Sequence, residues 1–195
     1  MKVEPVRLEG STIFLEPLAP EHAPLLWPKA GPEVFQYTLE SPRDETLAAF
    51  EDWVRHSMEL PATLGYTIFL KSTGEAVGMT GYLEIRPAHL GLEIGRTWIG
   101  KAHQGTRVNP ESKYLLLRHA FEDLGAVRVQ FKTDSRNLHS QRAIEKLGAQ
   151  REGVLRRYQM RSNGYIRDTA MYSILAEEWP GVKAGLEARL AQGLR

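Results

Sequence analysis

EIGRTWIGKAHQGTRVN, residues 93 to 109, is the stretch on which the fold turns. It joins three segments of different character. Leu90 to Gly100 is rich in branched and aromatic residues, as a strand is. Lys101 to Arg107 is polar and holds Gly105, and beyond it the helix signal is strong. Asn109 is placed to cap that helix, Pro110 suits its first position and Glu111 its positive end. Tyr114, Leu115, Leu117, His119, Phe121 and Leu124 then carry it to Gly125. The first turn of a helix presents unbonded amides and a positive dipole end, and a loop poor in side chains lets a phosphate reach the backbone. The junction is therefore a candidate diphosphate site, although taken alone it serves equally as an ordinary strand-to-helix connection. It lacks the Gly-Lys-Ser/Thr ending of a nucleoside-triphosphatase loop and the three spaced glycines of a dinucleotide fold.

Downstream, Val127, Val129, Phe131 and Thr133 alternate with Arg128, Gln130 and Lys132, the period of a strand. Asn137 can cap a second helix, Leu138 to Leu147, closed by Gly148. Two antiparallel strands follow, Gln150 to Arg161 and Tyr165 to Leu175, turning at Ser162-Asn163-Gly164. Past Trp179-Pro180 a last helix places Val182, Leu186, Leu190 and Leu194 at four-residue spacing, a stripe for its own domain or for a homodimer.

Upstream, Ile13-Phe14-Leu15 to Pro17 suits a short strand, and Pro20-Glu21 opens a helical pattern through His22, Leu25, Leu26 and Trp27. Asp44 can cap a further helix carrying Leu47, Phe50, Trp53, Val54 and Met58, which ends before Pro61. Trp27, Trp53 and Met58 read as core or as a substrate-side wall. Gly65 to Lys71 and Ala76 to Arg86 form a hairpin around Gly74. The order β-α-α-β-β-β-α-β-α-β-β-α predicts an α+β fold with a mixed, mainly antiparallel central sheet flanked by helices. We expect one domain over residues 1–180, with a terminal helix at 181–195 packed on it.

Composition narrows the chemistry. The 195 residues are 42% hydrophobic and hold no cysteine, which withholds a thiolate nucleophile, a disulfide framework and a Cys-ligated metal. The six histidines show no His-x-x-x-His or His-Glu-x-x-His pattern, so no metal is expected. With 25 Lys+Arg against 24 Asp+Glu the net charge is +1, which argues against a broad phosphate-binding surface and sequence-specific nucleic-acid binding. The chain shows neither the apolar start of a signal peptide nor an apolar run of membrane-spanning length. A cytoplasmic protein without a membrane partner is expected.

Gln104-Gly105 opening a helix, then Asn137-x-x-Ser140-x-x-x-x-x-Lys146-Leu147-Gly148 about thirty residues later, resembles the GNAT superfamily of acetyl-CoA-dependent N-acetyltransferases. Arg7-Leu8 to Leu18, Glu93-Ile94-Gly95 and Gly164-Tyr165-x-x-Asp168 are similar to its ribosomal-protein N-terminal (alanine or serine) acetyltransferase branch. The resemblance runs from Arg7 to Leu175. It implies a GNAT-type fold, acetyl-CoA as cosubstrate, and a protein or peptide N-terminal α-amino group, such as that of a ribosomal protein, as acceptor. It also implies that the backbone of Thr97, Trp98 and Ile99 pairs with the pantetheine arm and helps polarise the thioester. Gln104, Gly105, Thr106, Arg107, Val108 and Asn109 would surround the diphosphate, and Asn137 would hydrogen-bond the pantetheine. Where the family has Gly, this chain has Arg107, for which a left-handed backbone would be costly; alternatively its guanidinium contacts a phosphate.

Many members carry a Tyr seven residues after that Asn, where this chain has Ile144, so Ser140 becomes the candidate acid for the leaving thiolate. An α-amino group, with a pKa near 8, needs only a weak base. Glu93 is the candidate; relatives' alternatives fall here on Lys132 and Gln159. Without a cysteine, direct transfer is expected rather than an acyl-enzyme. Arg151, Arg156, Arg157, Arg161 and Arg167 make the last hairpin basic, a solvated face, a surface for an acidic peptide or one lying near ribosomal RNA. Two other functions remain: acetylation of small-molecule amines, and a non-catalytic acyl-CoA- or partner-binding module.

Overall fold

The computed structural model describes residues 1–161 and 163–192. Its strands are β1 (Leu8–Glu9), β2 (Ile13–Pro17), β3 (Leu64–Leu70), β4 (Ala76–Arg86), β5 (Gly91–Ile99), β6 (Arg128–Asp134), β7 (Gln150–Met160) and β8 (Ile166–Leu175). The helices are α1 (Ala23–Leu26), α2 (Leu47–Glu59), α3 (Val108–Arg118), α4 (Leu138–Glu145) and α5 (Trp179–Ala191). The eight strands form one sheet in the order β1-β2-β3-β4-β5-β6-β8-β7. Every neighbouring pair is antiparallel except β5 and β6. The expected α+β class and mainly antiparallel sheet are what the chain forms.

Alternation along the strands builds two cores. On one face Tyr66, Val77, Tyr82, Leu92, Ile94 and Phe131 pack against Leu115, Leu116 and Leu117 of α3, Ile144 of α4 and Trp179, Val182 and Leu186 of α5. On the other, Phe69, Met79 and Trp98 meet Phe50, Trp53 and Val54 of α2 and Leu26 of α1. Val182 and Leu186 are thus buried on their own domain, while Leu194 and the turn residue Ser162 lie outside the described residues. Trp53 is core, whereas Met58 is 39% exposed.

Two expected caps are replaced. Thr46, not Asp44, caps α2: its Oγ1 accepts from the Ala49 amide at 3.2 Å, while Asp44 Oδ1 accepts from the Thr46 amide at 3.0 Å. α3 starts at Val108 with Arg107 in the cap position, so Asn109 lies inside the first turn and does not cap. Pro110 then sits third in the helix, where a missing N–H still costs no bond. The helix closes in a π-turn, His119–Asp123, before Gly125.

Candidate functional site: a fork between two parallel strands

β5 and β6 pair only over Gly91–Arg128, Leu92–Val129 and Glu93–Gln130. Past that point β5 runs on to Ile99 paired only with β4, and β6 runs to Asp134 paired only with β8. The two strands therefore part, and each leaves one row of backbone N–H and C=O groups facing the gap. Because the strands are parallel, both continue into helix N-termini at the open end, α3 after β5 and α4 after β6. Such a crevice beyond the carboxyl ends of strands is where open α/β sheets bind ligands. Thr97, Trp98 and Ile99 lie on the free flank of β5, and Gln104 to Asn109 and Asn137 lie at the open end. All the expected cofactor residues thus come to one place.

At the α3 junction only Gly105 has a left-handed backbone, with φ +73°. Arg107 takes an ordinary helical φ of −70°, so the expected strain at that residue is absent. Its side chain also turns away from the gap: Nη2 donates to the Leu190 carbonyl at 3.3 Å and to Ser11 Oγ at 3.4 Å, and Nε lies 3.5 Å from Glu111. Gln104 Nε2 is tied back to the Ile99 carbonyl at 2.9 Å, and Thr106 Oγ1 to that of His103 at 2.7 Å. Among the described residues, the amides of Gly105, Thr106 and Arg107 have no partner. Glu111, read from the sequence as a dipole-compensating residue, instead anchors the turn before β2. Its Oε1 accepts from the Ser11 amide at 2.5 Å and the Thr12 amide at 2.9 Å, and its Oε2 from the Thr12 hydroxyl. Burial alone would raise its pKa, but these bonds hold it below the ordinary value.

At the α4 junction Asn137 caps the helix, its Oδ1 accepting from the Ser140 amide at 3.0 Å. Ser140 is half-buried in the first turn. Asp134, fully buried at the end of β6, accepts from the Arg136 amide and guanidinium. That guanidinium stacks 3.7 Å over the Tyr165 ring, joining this junction to the β7–β8 hairpin.

Glu93 sits at the crotch of the fork and is 7% exposed. Its Oε2 lies 3.0 Å from Lys132 Nζ and accepts from Gln130 Nε2 at 3.3 Å; Lys132 also bonds Glu84. Burial pushes the Glu93 carboxyl up, with Lys132 acting against the shift. Burial would lower Lys132, but the two glutamates raise it. Glu93 is thus a stronger base than a surface carboxylate and already partnered. Gln159 accepts from Arg167 Nη2 at 2.9 Å.

The basic hairpin divides. Arg151, Arg156 and Arg157 are exposed. Arg167 is buried, against the expectation of a solvated face, because its strand lies inside the sheet. Arg161 donates to the carbonyls of Thr38 (2.7 Å) and Phe35 (3.1 Å), fastening the hairpin to the loop before α2.

Two site residues escaped the sequence reading. Arg96, at φ +50° in a bulge of β5, sends its guanidinium to Ser57 Oγ (2.7 Å) and Glu40 (3.4 Å). Lys113 is buried under β4 and β5. Its signal was its spacing: three and four residues before Leu116 and Leu117, it falls on the core stripe of α3.

Known proteins share this arrangement. The profile of the acetyltransferase (GNAT) domain matches residues 12–150. A crystal structure from T. thermophilus, provisionally described as an acetyltransferase, is 45% identical, with a TM-score of 0.92 over 97% of this chain and 100% of that one. An uncharacterized N-acetyltransferase of Bacillus licheniformis, p20, is 30% identical over 60% of this chain, and the match spans 64% of that relative's length. Bacillus subtilis YdaF, provisionally named a ribosomal N-acetyltransferase, is 30% identical over 68% of this chain and 69% of its own. Mycobacterium smegmatis RimJ in complex with CoA-disulfide, 20% identical with 95% of each chain covered, shares the fold at a TM-score of 0.78. With a profile that takes in the fork and both helix starts, the chain belongs to the GNAT family of acetyltransferases.

Proposed function

We propose that the chain transfers the acetyl group of acetyl-CoA directly to a primary amine, and that its acceptor is the α-amino group of a protein or peptide. The observation that carries the donor is the fork. An amide-bearing arm laid between β5 and β6 meets, on one side, the flank of β5 at Thr97, Trp98 and Ile99 that β6 leaves uncovered, and the Asn137 side chain near the other. A diphosphate at its end meets the open amides of Gly105, Thr106 and Arg107. RimJ, of like fold, is described with a CoA-disulfide in its complex. Arg107, engaged with Glu111 and Leu190, leaves the approach to those amides open; a non-catalytic acyl-CoA-binding module would offer the same approach, and turnover separates the two.

The neutral amine nitrogen bonds to the thioester carbon, the C–S bond breaks, and the sulfur leaves as thiolate. Glu93, whose carboxyl burial has made more basic, takes the amine proton through a water; Ser140 returns one to the thiolate and recovers it from solvent. An α-amino acceptor suits a site with so modest a base, because it releases its proton more readily than a lysine. The provisional naming of YdaF as a ribosomal N-acetyltransferase favours a protein acceptor, and the exposed Arg151, Arg156 and Arg157 on β7 suit an acidic segment of it. A cytoplasmic location fits such an acceptor; no helix among the described residues is long and apolar enough to cross a membrane.

The test is thiol release from acetyl-CoA with a panel of N-terminal peptides beside lysine side-chain peptides and small amines. Peptide α-amines should give the highest kcat/KM, and Ser140→Ala should lower kcat about tenfold or more with KM for acetyl-CoA nearly unchanged. Preference for small amines overturns the acceptor. Acetylated protein formed from acetyl-CoA alone overturns direct transfer.

A further inference from the structure

The reaction just described makes no use of the most unusual side chain in the fold. Lys113 is 6% exposed, and among the described residues no carboxylate lies within ion-pair reach of it. A lysine is almost never buried without a partner, because desolvating an unpaired ammonium is expensive. Its Nζ is held by two hydroxyls: it donates to Thr80 Oγ1 of β4 at 3.0 Å and to Thr97 Oγ1 of β5, and the hydroxyls lie 2.9 Å from each other. Two hydroxyl partners fill the two N–H groups of a neutral amine and leave the third hydrogen of an ammonium unmatched. The third proton of the cation is therefore held only weakly by its surroundings.

The surrounding charges are turned elsewhere. Glu111, on the same helix, bonds Ser11 and Thr12. Arg96, beside Thr97 on β5, bonds Ser57 and Glu40. His119, a turn and a half along, bonds the Tyr82 hydroxyl at 3.1 Å. Burial, the sole cause, pulls the Lys113 amino group down to about 7. Thr97, by contrast, is only half-buried, on the flank of β5 that faces the fork.

We propose that Lys113 is a positioning residue for acetyl transfer: through the Thr97 hydroxyl its cation holds and polarises the β5 backbone against which the thioester lies. The inference rests on the acetyl-transfer reading above. When the amine adds, negative charge builds on the carbonyl oxygen and then on the leaving sulfur. A cation one hydroxyl away, in a water-poor interior, stabilises that charge more than it would in water. The contribution belongs to the protonated form, so it is present below about pH 7 and fades as the proton is lost.

The experiment compares wild type with Lys113→Met, which keeps the length of the side chain and removes its proton, in the thiol-release assay at saturating acetyl-CoA and acceptor from pH 6 to pH 9. We expect the ratio of wild-type to variant kcat to be about tenfold at the acid end, equivalent to about 1.4 kcal/mol of transition-state stabilisation. The ratio should fall towards one above neutrality, with KM for acetyl-CoA little changed. A ratio that does not vary with pH, or that is one throughout, overturns the proposal and leaves Lys113 a structural residue. Should Lys113→Met fail to fold, Thr97→Val, which cuts the link while keeping shape, carries the same readout, and the same outcomes decide it. Absence of thiol release by wild type with every amine overturns acetyl transfer and this inference together; turnover with a flat ratio overturns this inference alone.

Discussion

The two helix starts at the open end of the fork are built from the same parts and finished in opposite ways. Each follows one strand of the parallel pair, and each aims a positive dipole end at the gap. At α4 the chain closes its own N-terminus: Asn137 Oδ1 takes the Ser140 amide, and Asp134 and Arg136 occupy each other. At α3 no side chain caps, the left-handed Gly105 bends the loop, and three successive amides stay open. Both Gln104 and Arg107, the side chains long enough to fill the space, are tied back behind the loop. An anion that needs backbone donors has one place to go. The finished end can do something else, which is to hold a side-chain amide and a serine at fixed positions beside the gap, where the proposed reading lays the arm.

That contrast breaks most readily at Gly105. A Cβ added there meets no atom within 4 Å, so the first atom of a side chain has room. At φ +73° it costs about 1 to 2 kcal/mol of backbone strain and covers the open amides. By covering those amides, Gly105→Val should raise KM for acetyl-CoA by roughly a hundredfold, each tenfold being about 1.4 kcal/mol, with kcat changing far less and the strain lowering the melting temperature by about 2 to 8 °C. Steady-state kinetics beside a thermal melt checks it. An unchanged KM would move the diphosphate away from α3 and dissolve the comparison.

The next lever is what holds the open end in shape. Glu111 fixes the turn before β2 to the first turn of α3, and its hydrogen bonds keep its pKa below the ordinary value. A depressed carboxylate contributes stability above its unfolded pKa and loses it as pH falls through its folded one. Glu111→Gln should then cost about 1 to 3 kcal/mol at neutral pH. The gap to wild type should begin to close as pH drops below about 4, the ordinary glutamate range, and vanish only once pH has fallen through the lowered folded value. Urea unfolding at several pH values reads this; a gap that stays constant into acid would deny the charge its part.

The contrast itself was only half legible in the sequence. Alternation of Val127, Val129, Phe131 and Thr133, the Asn137 cap and Gly148 marked the α4 side almost to the residue, because each signal there is local. On the α3 side the letters suggested Asn109 as the cap, since Asn favours that position and Pro110 follows it. Helix start and side-chain direction are decided by Glu111 reaching Ser11 and Thr12, about a hundred residues away in sequence, and by Arg107 reaching Leu190. No local pattern carries such contacts. The same holds for Arg167, whose burial follows from β8 lying between β6 and β7, whereas Lys113 had a local signal in its spacing to Leu116 and Leu117, which its residue type masked. The fork, too, is invisible in composition: β5 and β6 each look like ordinary strands, and only their pairing shows where they stop touching.

The smallest effect separates folding from binding at the closed end. Asn137 has two polar atoms with different duties: Oδ1 caps α4, and the amide nitrogen has no partner among the described residues. Asn137→Ala removes both and should cost about 1 kcal/mol of stability, as losing an N-cap does. Asn137→Asp keeps the acceptor and adds a favourable charge at the helix start, so its stability should match wild type. If the free nitrogen donates to the pantetheine arm, both variants should raise KM for acetyl-CoA a few-fold, the usual worth of one hydrogen bond. Alanine would then lose stability and affinity, aspartate affinity alone. Aspartate with unchanged KM would leave Asn137 a cap and nothing more, and binding would rest wholly on the backbone of β5 and the open end of α3.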